Sequence, residues 1–375
     1  MTYPIKELRA LYTRFIKFSE SQGMQDASTL SNVDIEKISA AEIKTVISIY
    51  RRMSFFSFLR VLKYFAHSEK VFDILPKIHD LYAILIFVEF LTKENIITVT
   101  SNGSITFNKY EWKDILPRPQ TEKEIAKVIG KKLGIKISMK NPVTDLFSQM
   151  GFSMKTDFDQ APISQKSAFF VIHKILEHLP LSRTFLFVGD DDFMSILLSL
   201  VDPSIESVVI DADKSLLHAI QHCAQKNDLR IRTKCFDILN PKKVAGNFTG
   251  FLCNPPYTEK GATIFMQYGL QHLGKDGGFA FLEHGNDGVG NRYLFLQKFF
   301  SEKQLITEEI IQKKITYPHI GLYEDYEVTN NRLAKFIDPR VIAKQPELAA
   351  ALYIFNYVPF PIKQGQTKQS IYSYL

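Results

Sequence analysis

The sequence predicts an α/β protein: a doubly wound, mostly parallel sheet in the second half, preceded by a helical and winged-helix-like N-terminal region. Three observations predict it. Between Ser164 and Leu282 short apolar runs alternate with helical stretches, as in a parallel sheet with crossover helices. Acidic residues end three successive runs, Gly189-Asp190-Asp191-Asp192, Asp211-Ala212-Asp213 and Phe236-Asp237, where such sheets bind ligands. Earlier in the chain, helical periodicity closes on Ser101-Asn102-Gly103-Ser104 between two β-rich runs, and Asn-Gly is a strong hairpin signal.

The 375 residues allow two or three domains, and 45% hydrophobic content excludes a disordered chain. A formal charge of +6 is modest for this length and by itself fits ordinary solubility. Cys223, Cys235 and Cys253 lack CxxC spacing, so the reading is no disulfide framework, no zinc site and a reducing cytoplasm. The nine histidines form no His-Glu-x-x-His cluster, so no metal is predicted. The apolar window Leu81–Leu91 is too short to span a bilayer and contains Glu89. No membrane association is predicted.

Residues 1–66 read as helical, with Ile43, Val46, Ile47 and Tyr50 and then Phe55, Phe58, Leu59 and Leu62 at helical spacing. Residues 67–110 read as a winged-helix-like unit: helical stretches at Val71–Ile78 and Leu81–Lys93, then the hairpin. The helix before the wing is almost wholly apolar, with Lys93 its only basic residue. DNA reading needs polar and basic side chains. We therefore expect this helix to be packed on both sides, and nucleic acid not to be a partner. Residues 111–155 read as a connector with a polar helix over Thr121–Leu133, and residues 156–375 as a catalytic domain with a C-terminal extension. Within it the reading gives helix Ser164–Leu179, strand Thr184–Val188, helix Met194–Leu200 and strand Ser207–Ile210. Helix Ser215–Gln225 and strands Ile231–Cys235 and Gly250–Cys253 follow, then helix Ala262–Leu273, strand Gly278–Leu282 and a closing strand at Leu352–Val358.

The strand ends carry the chemistry. Gly189 permits a tight turn and close approach of a ligand. Asp211 is placed to accept bonds from ribose hydroxyls, and Asp237 to take an adenine amino group. Asp213, just before a helix, reads as a cap. A dinucleotide would need GxGxxG around its pyrophosphate. Here the loop carries three carboxylates, and each like-charge pair costs on the order of 1 kcal/mol when partly desolvated. The ligand meeting this loop should be cationic, either a sulfonium compound or an amine. The sheet is read as Rossmann-like, of the class I methyltransferase type.

The run Phe158-Asp159-Gln160, then a helix, FVGDDD, VVIDAD and finally xPPxT resembles the branched-chain polyamine synthases, the N(4)-bis(aminopropyl)spermidine synthase family, over roughly Lys155–Leu282. The resemblance implies a winged-helix-like domain, a homodimer and transfer of an aminopropyl group from decarboxylated S-adenosylmethionine to an amine of a polyamine. It implies a catalytic role for Asp191, supported by Asp190 and Asp192, which orient the amine and take up its proton. Donor contacts fall to Gly189, Asp190, Asp211, Asp237 and Asn254, and acceptor contacts to Asp159, Gln160, Asp192, Pro255 and Tyr257. One motif departs from the family: Asp-Pro-Pro-Glu-Thr is replaced by Asn254-Pro255-Pro256-Tyr257-Thr258. NPPY also marks methyltransferases acting on planar amino groups, so an S-adenosylmethionine-dependent N-methyltransferase is a second reading. A winged-helix, nucleotide-sensing DNA-binding regulator is a third. His284 and the aromatic residues Tyr317, Tyr323 and Tyr326 are further candidates for lining the pocket.

Overall fold

The computed structural model describes residues 3–30, 54–78, 81–118, 120–139, 141, 143, 155, 160–179, 184–285, 289–317, 335–336 and 348–359. Residues 43–50, Asp159, Tyr323 and Tyr326, singled out above, lie outside them. The chain divides into two compact units, residues 1–118 with 358–375, and residues 119–357. No described helix is long and apolar enough to cross a membrane.

In the first unit α1 (Tyr3–Leu30), α2 (Phe55–His67), a short α3 (Leu75–Ile78) and α4 (Leu81–Lys93) precede the hairpin β1 (Ile97–Val99) and β2 (Ile105–Phe107). Helix α2 starts where the Ser54 side chain accepts from Ser57 N–H, satisfying one donor of its first turn. Phe15, Phe58, Phe87 and Phe90 form its aromatic core, with the Phe15 and Phe87 rings 4.4 Å apart. In the hairpin turn Asn102 accepts from Ser104 N–H, and Gly103 takes φ 79°. One expectation is corrected here. Among the described residues helix α4 is packed on one side and open on the other: Ile84, Phe87, Phe90 and Leu91 are buried, while Leu85 is 47% exposed beside exposed Glu89 and Lys93.

The second unit begins with α5 (Glu122–Leu133), held by a capping box between Thr121 and Glu124. Then come α6 (Gln165–His178), β3 (Thr184–Val188), α7 (Met194–Val201), β4 (Glu206–Asp211), α8 (Lys214–Lys226) and β5 (Ile231–Cys235). They are followed by β6 (Gly250–Cys253), α9 (Glu259–Gln271), β7 (Gly278–His284), α10 (Tyr293–Glu302), β8 (Leu305–Tyr317) and β9 (Leu348–Tyr357). The seven strands lie in the order β5-β4-β3-β6-β7-β9-β8. The first five are parallel, and β9 enters antiparallel between β7 and β8. This is the class I methyltransferase-type sheet. Its strand order reverses between β3 and β6, so the ligand crevice of such a sheet falls at their carboxyl ends.

The central strands β3, β4, β6 and β7 are buried on both faces, which is why they read as apolar runs. One face packs Leu186, Val188, Phe251, Cys253 and Leu282 against Met266 of α9 and Leu296 and Phe300 of α10. The other carries Phe185, Phe187 and Phe281 towards His178 of α6. Two elements escaped the sequence reading, α10 and β8. Strand β8 lies at the sheet edge, slips register at Thr307/Glu309 and at Ile311/Ile315, and has Lys313 at φ 56°. Those irregularities erase the period-two alternation by which a half-buried strand is recognised.

Candidate active site

Strand β3 delivers the acidic loop to the crevice. Gly189 turns the chain at φ 77°, a left-handed conformation that favours glycine. A Cβ there would stand 3.5 Å from the Phe265 ring and 4.0 Å from an Asp211 oxygen. The three aspartates that follow separate into different tasks. Asp190 is buried, and both its oxygens accept from Ser195 N–H at 3.2–3.3 Å, capping the start of α7. Asp192 is buried and accepts from Ile163 N–H at 2.8 Å and from the Asn254 amide at 3.2 Å. Asp191 is the least buried of the three; it accepts from Ala161 N–H at 3.1 Å.

The segment holding Gln160 thus crosses the loop and is fastened to it. The fastening continues at the end of β4. Asp213 caps α8 through Ser215 N–H at 2.9 Å, as predicted, and also takes Lys155 Nζ at 2.8 Å and Gln160 Nε2 at 3.0 Å. Burial acts to raise Asp213, but the bonds from Lys155, Ser215 and Gln160 hold it at about 2. Both ends of the Gln160 amide are engaged, since Oε1 accepts from Lys155 N–H at 2.8 Å. Asp211 accepts from Asp213 N–H at 2.8 Å and from Asp190 N–H at 3.3 Å, so it joins the β3 and β4 ends. Asp237 is exposed and accepts from Leu239 N–H at 2.9 Å, an Asx turn after β5. It makes no bond to the acidic loop among the described residues.

The Asn254–Tyr257 run leaves β6 beside this loop. The Tyr317 hydroxyl lies 3.5 Å from Asn254 Oδ1 and is hydrogen-bonded to the Tyr257 hydroxyl. The Tyr257 ring lies on the backbone at Gly285, where a Cβ would come within 2.8 Å of it. Pro255 is buried between these groups' anchor points on the chain. Tyr317, at the end of β8, is held on the other side by Thr316, whose hydroxyl lies 2.8 Å from that of Ser164. Of the candidate aromatic wall, the described Tyr317 does reach the site.

Electrostatically the site is one-sided. Burial first, and the Asp191 charge after it, push Asp190 well above the usual carboxylate range. Burial, Asp192 and Asp211 do the same for Asp191, and burial and Glu283 for Asp192. Glu283, missed from sequence, is the next-to-last residue of β7 and is raised to about 8 by burial and by Asp191 and Asp190. Its signal in the sequence is a lone acid directly after the apolar run Gly278–Leu282. No lysine or arginine among the described residues lies within ion-pair distance of Asp190, Asp191, Asp192 or Glu283. An arrangement of this kind can bind a cation and take a proton from it. A separate donor cluster, Glu177, His178 and Glu309, has metal-like spacing. Its cation position is already taken by Lys174 Nζ, 2.8 and 2.7 Å from the two carboxylates.

Comparison with known proteins bears on this geometry. The family model described as the branched-chain polyamine synthase A C-terminal domain matches residues 151–349. An uncharacterised protein of Methanocaldococcus jannaschii is 30% identical over 151 residues, which is 40% of this chain and 37% of that relative's length. Among solved structures, the branched-chain polyamine synthase of Thermus thermophilus, in complex with N4-aminopropylspermidine and 5'-methylthioadenosine, is similar with a TM-score of 0.51 at 15% identity. The similarity covers 84% of this chain and 91% of that one, and at this identity it shows the shared fold.

Proposed function

The chain belongs to the branched-chain polyamine synthase A family of transferases, and from that membership we propose an aminopropyltransferase that uses decarboxylated S-adenosylmethionine and a polyamine and releases methylthioadenosine. The observation that carries this reading is the acidic loop Asp190–Asp192, with Asp190 and Asp192 buried, Asp191 mostly so, and no lysine or arginine partner among the described residues. A donor carrying a carboxylate would be repelled there. A donor ending in a bare ammonium, and a polycationic acceptor, both supply the missing positive charge.

The reaction asks little covalent work of the protein. The lone pair of the acceptor nitrogen attacks the methylene carbon beside the sulfonium. A C–N bond forms, the C–S bond breaks, and sulfur leaves as a neutral thioether. The nitrogen must be unprotonated to attack, so a carboxylate must orient it and accept its proton. Asp191 is assigned this role because it alone of the three keeps some solvent exposure. Asp190 and Asp192 support it, the first by fixing the start of α7 and the second by binding Asn254. Gly189, Asp190, Asp211 and Asn254 are assigned to the donor, together with Asp237 from the β5 end. Asp192, Pro255 and Tyr257 are assigned to the amine, and Asp159 and Gln160 with them. Most of the acceleration then comes from holding nitrogen and carbon in line.

The N-methyltransferase reading rests on Asn254–Tyr257. It needs a tyrosine ring free to stack on a planar amine, whereas the Tyr257 hydroxyl is bonded to Tyr317 and its ring is seated at Gly285. Purified protein offered either donor with spermidine or spermine tests the choice. The expected product is methylthioadenosine from the decarboxylated donor. S-adenosylhomocysteine with no aminopropyl product would overturn the proposal.

A further inference from the structure

Glu283 is fully buried, and neither carboxylate oxygen has a hydrogen-bond partner among the described residues. A buried acid in that condition does nothing for the fold; desolvation without compensation is a cost. Its placement is specific. In the β6–β7 register Cys253 pairs with Leu282, so Glu283 stands level with Asn254, one residue beyond the paired part of β6. Side chains alternate along a strand, and Phe281 packs with Phe185 and His178. Glu283 therefore leaves the sheet on that same face, the one covered by α6.

The titratable groups that face it come from each neighbouring strand end. Asp190 and Asp191 on the β3 loop act on Glu283, and Glu283 acts on Asp192, on Cys253 of β6, on Tyr257 beyond it, and on Tyr317 of β8. All are acids, and no lysine or arginine among the described residues lies within ion-pair distance of Glu283. The residues closing β6, Asn254 and Tyr257, carry no carboxylate, so on this side of the crevice Glu283 is the group able to take a negative charge.

We infer that Glu283 is a further carboxylate of the amine site, holding a second cationic nitrogen of the acceptor while the reacting nitrogen lies at Asp191. The inference rests on the polyamine reading above and narrows it: the acceptor carries at least two nitrogens, and a monoamine is a poor substitute. Without a cation, burial and the charges of Asp191 and Asp190 favour the protonated form of Glu283. On entry of the cation it ionises, its proton goes to solvent, and an ammonium–carboxylate contact replaces a buried neutral acid.

Calorimetric titration of spermidine into the full chain at pH 7, in two buffers of different ionisation enthalpy, gives both the dissociation constant and the protons released. Glu283→Gln keeps the shape without the charge. It should weaken spermidine about ten- to hundredfold, remove close to one released proton, and leave methylthioadenosine and n-butylamine binding unchanged. Glu283→Asp should restore part of both effects, which a purely structural glutamate would not do. An unchanged dissociation constant and proton count in Glu283→Gln, with the wild type still forming methylthioadenosine, would overturn the inference and leave the transfer reading standing. A wild type that neither binds spermidine nor forms methylthioadenosine would overturn both.

Discussion

Strand β8 brings Tyr317 to the crevice although it lies at the sheet edge and carries two register slips, so something outside its ladder must hold it. Glu309 supplies that hold. Its carboxylate lies 2.7 Å from Lys174 Nζ and 3.3 Å from His178 Nε2, both on α6. Burial acts to raise Glu309, but the bonds and charges of His178 and Lys174 hold it at about 2, against an ordinary value of 4.5. At about 1.36 kcal/mol per unit, that corresponds to about 3 kcal/mol. One third of the side chain is exposed, and Lys174 keeps Glu177 at 2.8 Å when Glu309 is lost. The expected loss for Glu309→Gln is therefore smaller, about 1–2 kcal/mol.

Urea unfolding at a series of pH values reads both the size and the origin of this contribution. A depressed carboxylate stabilises the native state above its unfolded-state value and ceases to do so as pH falls towards its native one. The gap between wild type and Glu309→Gln should be full at pH 6–7 and shrink as pH drops below about 4.5. No gap at pH 7 would refute the clamp. A gap that stays constant down to pH 3 would refute its electrostatic origin.

Three further outcomes follow from the site. Asp191→Asn retains an acceptor for Ala161 N–H, so the circular dichroism spectrum should be unchanged while methylthioadenosine release slows about 10²–10⁴-fold; full activity would remove Asp191 as the proton acceptor. Gly189→Ala places a Cβ at φ 77° beside Phe265 and should cost about 1–2 kcal/mol, visible as a lower urea midpoint and weaker methylthioadenosine binding. Glu283 is raised to about 8, so the native state holds a proton that the unfolded chain gives up. Stability of the ligand-free protein should then fall as pH rises from about 4.5 to 8, a trend that thermal scans should find flattened in Glu283→Gln.

How much was legible follows from what burial does to a pattern. Strands β3, β5 and β6 were read to the residue. Each is short, and turn or polar residues bound it. Strand β7 was cut at Leu282, because Glu283 and His284 end the apolar run although both are buried in the strand. The same cut hid the acid. Polarity marks a strand end only when the polar residue faces water, and here it faces other acids. The Asp190–Asp192 run was visible as chemistry but not as a division of labour, since nothing in three consecutive aspartates says that the first caps a helix and the last binds Asn254. Asp237 was read from its strand-end position, and the Asx turn it makes depends on the backbone of the next two residues.

The way these acids are held also bears on what they are for. Ala161, Ile163, Ser195 and Asp213 present backbone N–H groups to Asp191, Asp192, Asp190 and Asp211 in turn. A lysine or arginine would satisfy such carboxylates more strongly, and the chain does use Lys155 for Asp213 next door. In the crevice the described partners are neutral donors instead. Neutral donors fix the direction of each carboxylate without cancelling its charge, and on the proposed reading the positive charge that lowers these raised acids arrives with the ligand. A site whose substrate is itself a polycation requires the position of that charge to be left open.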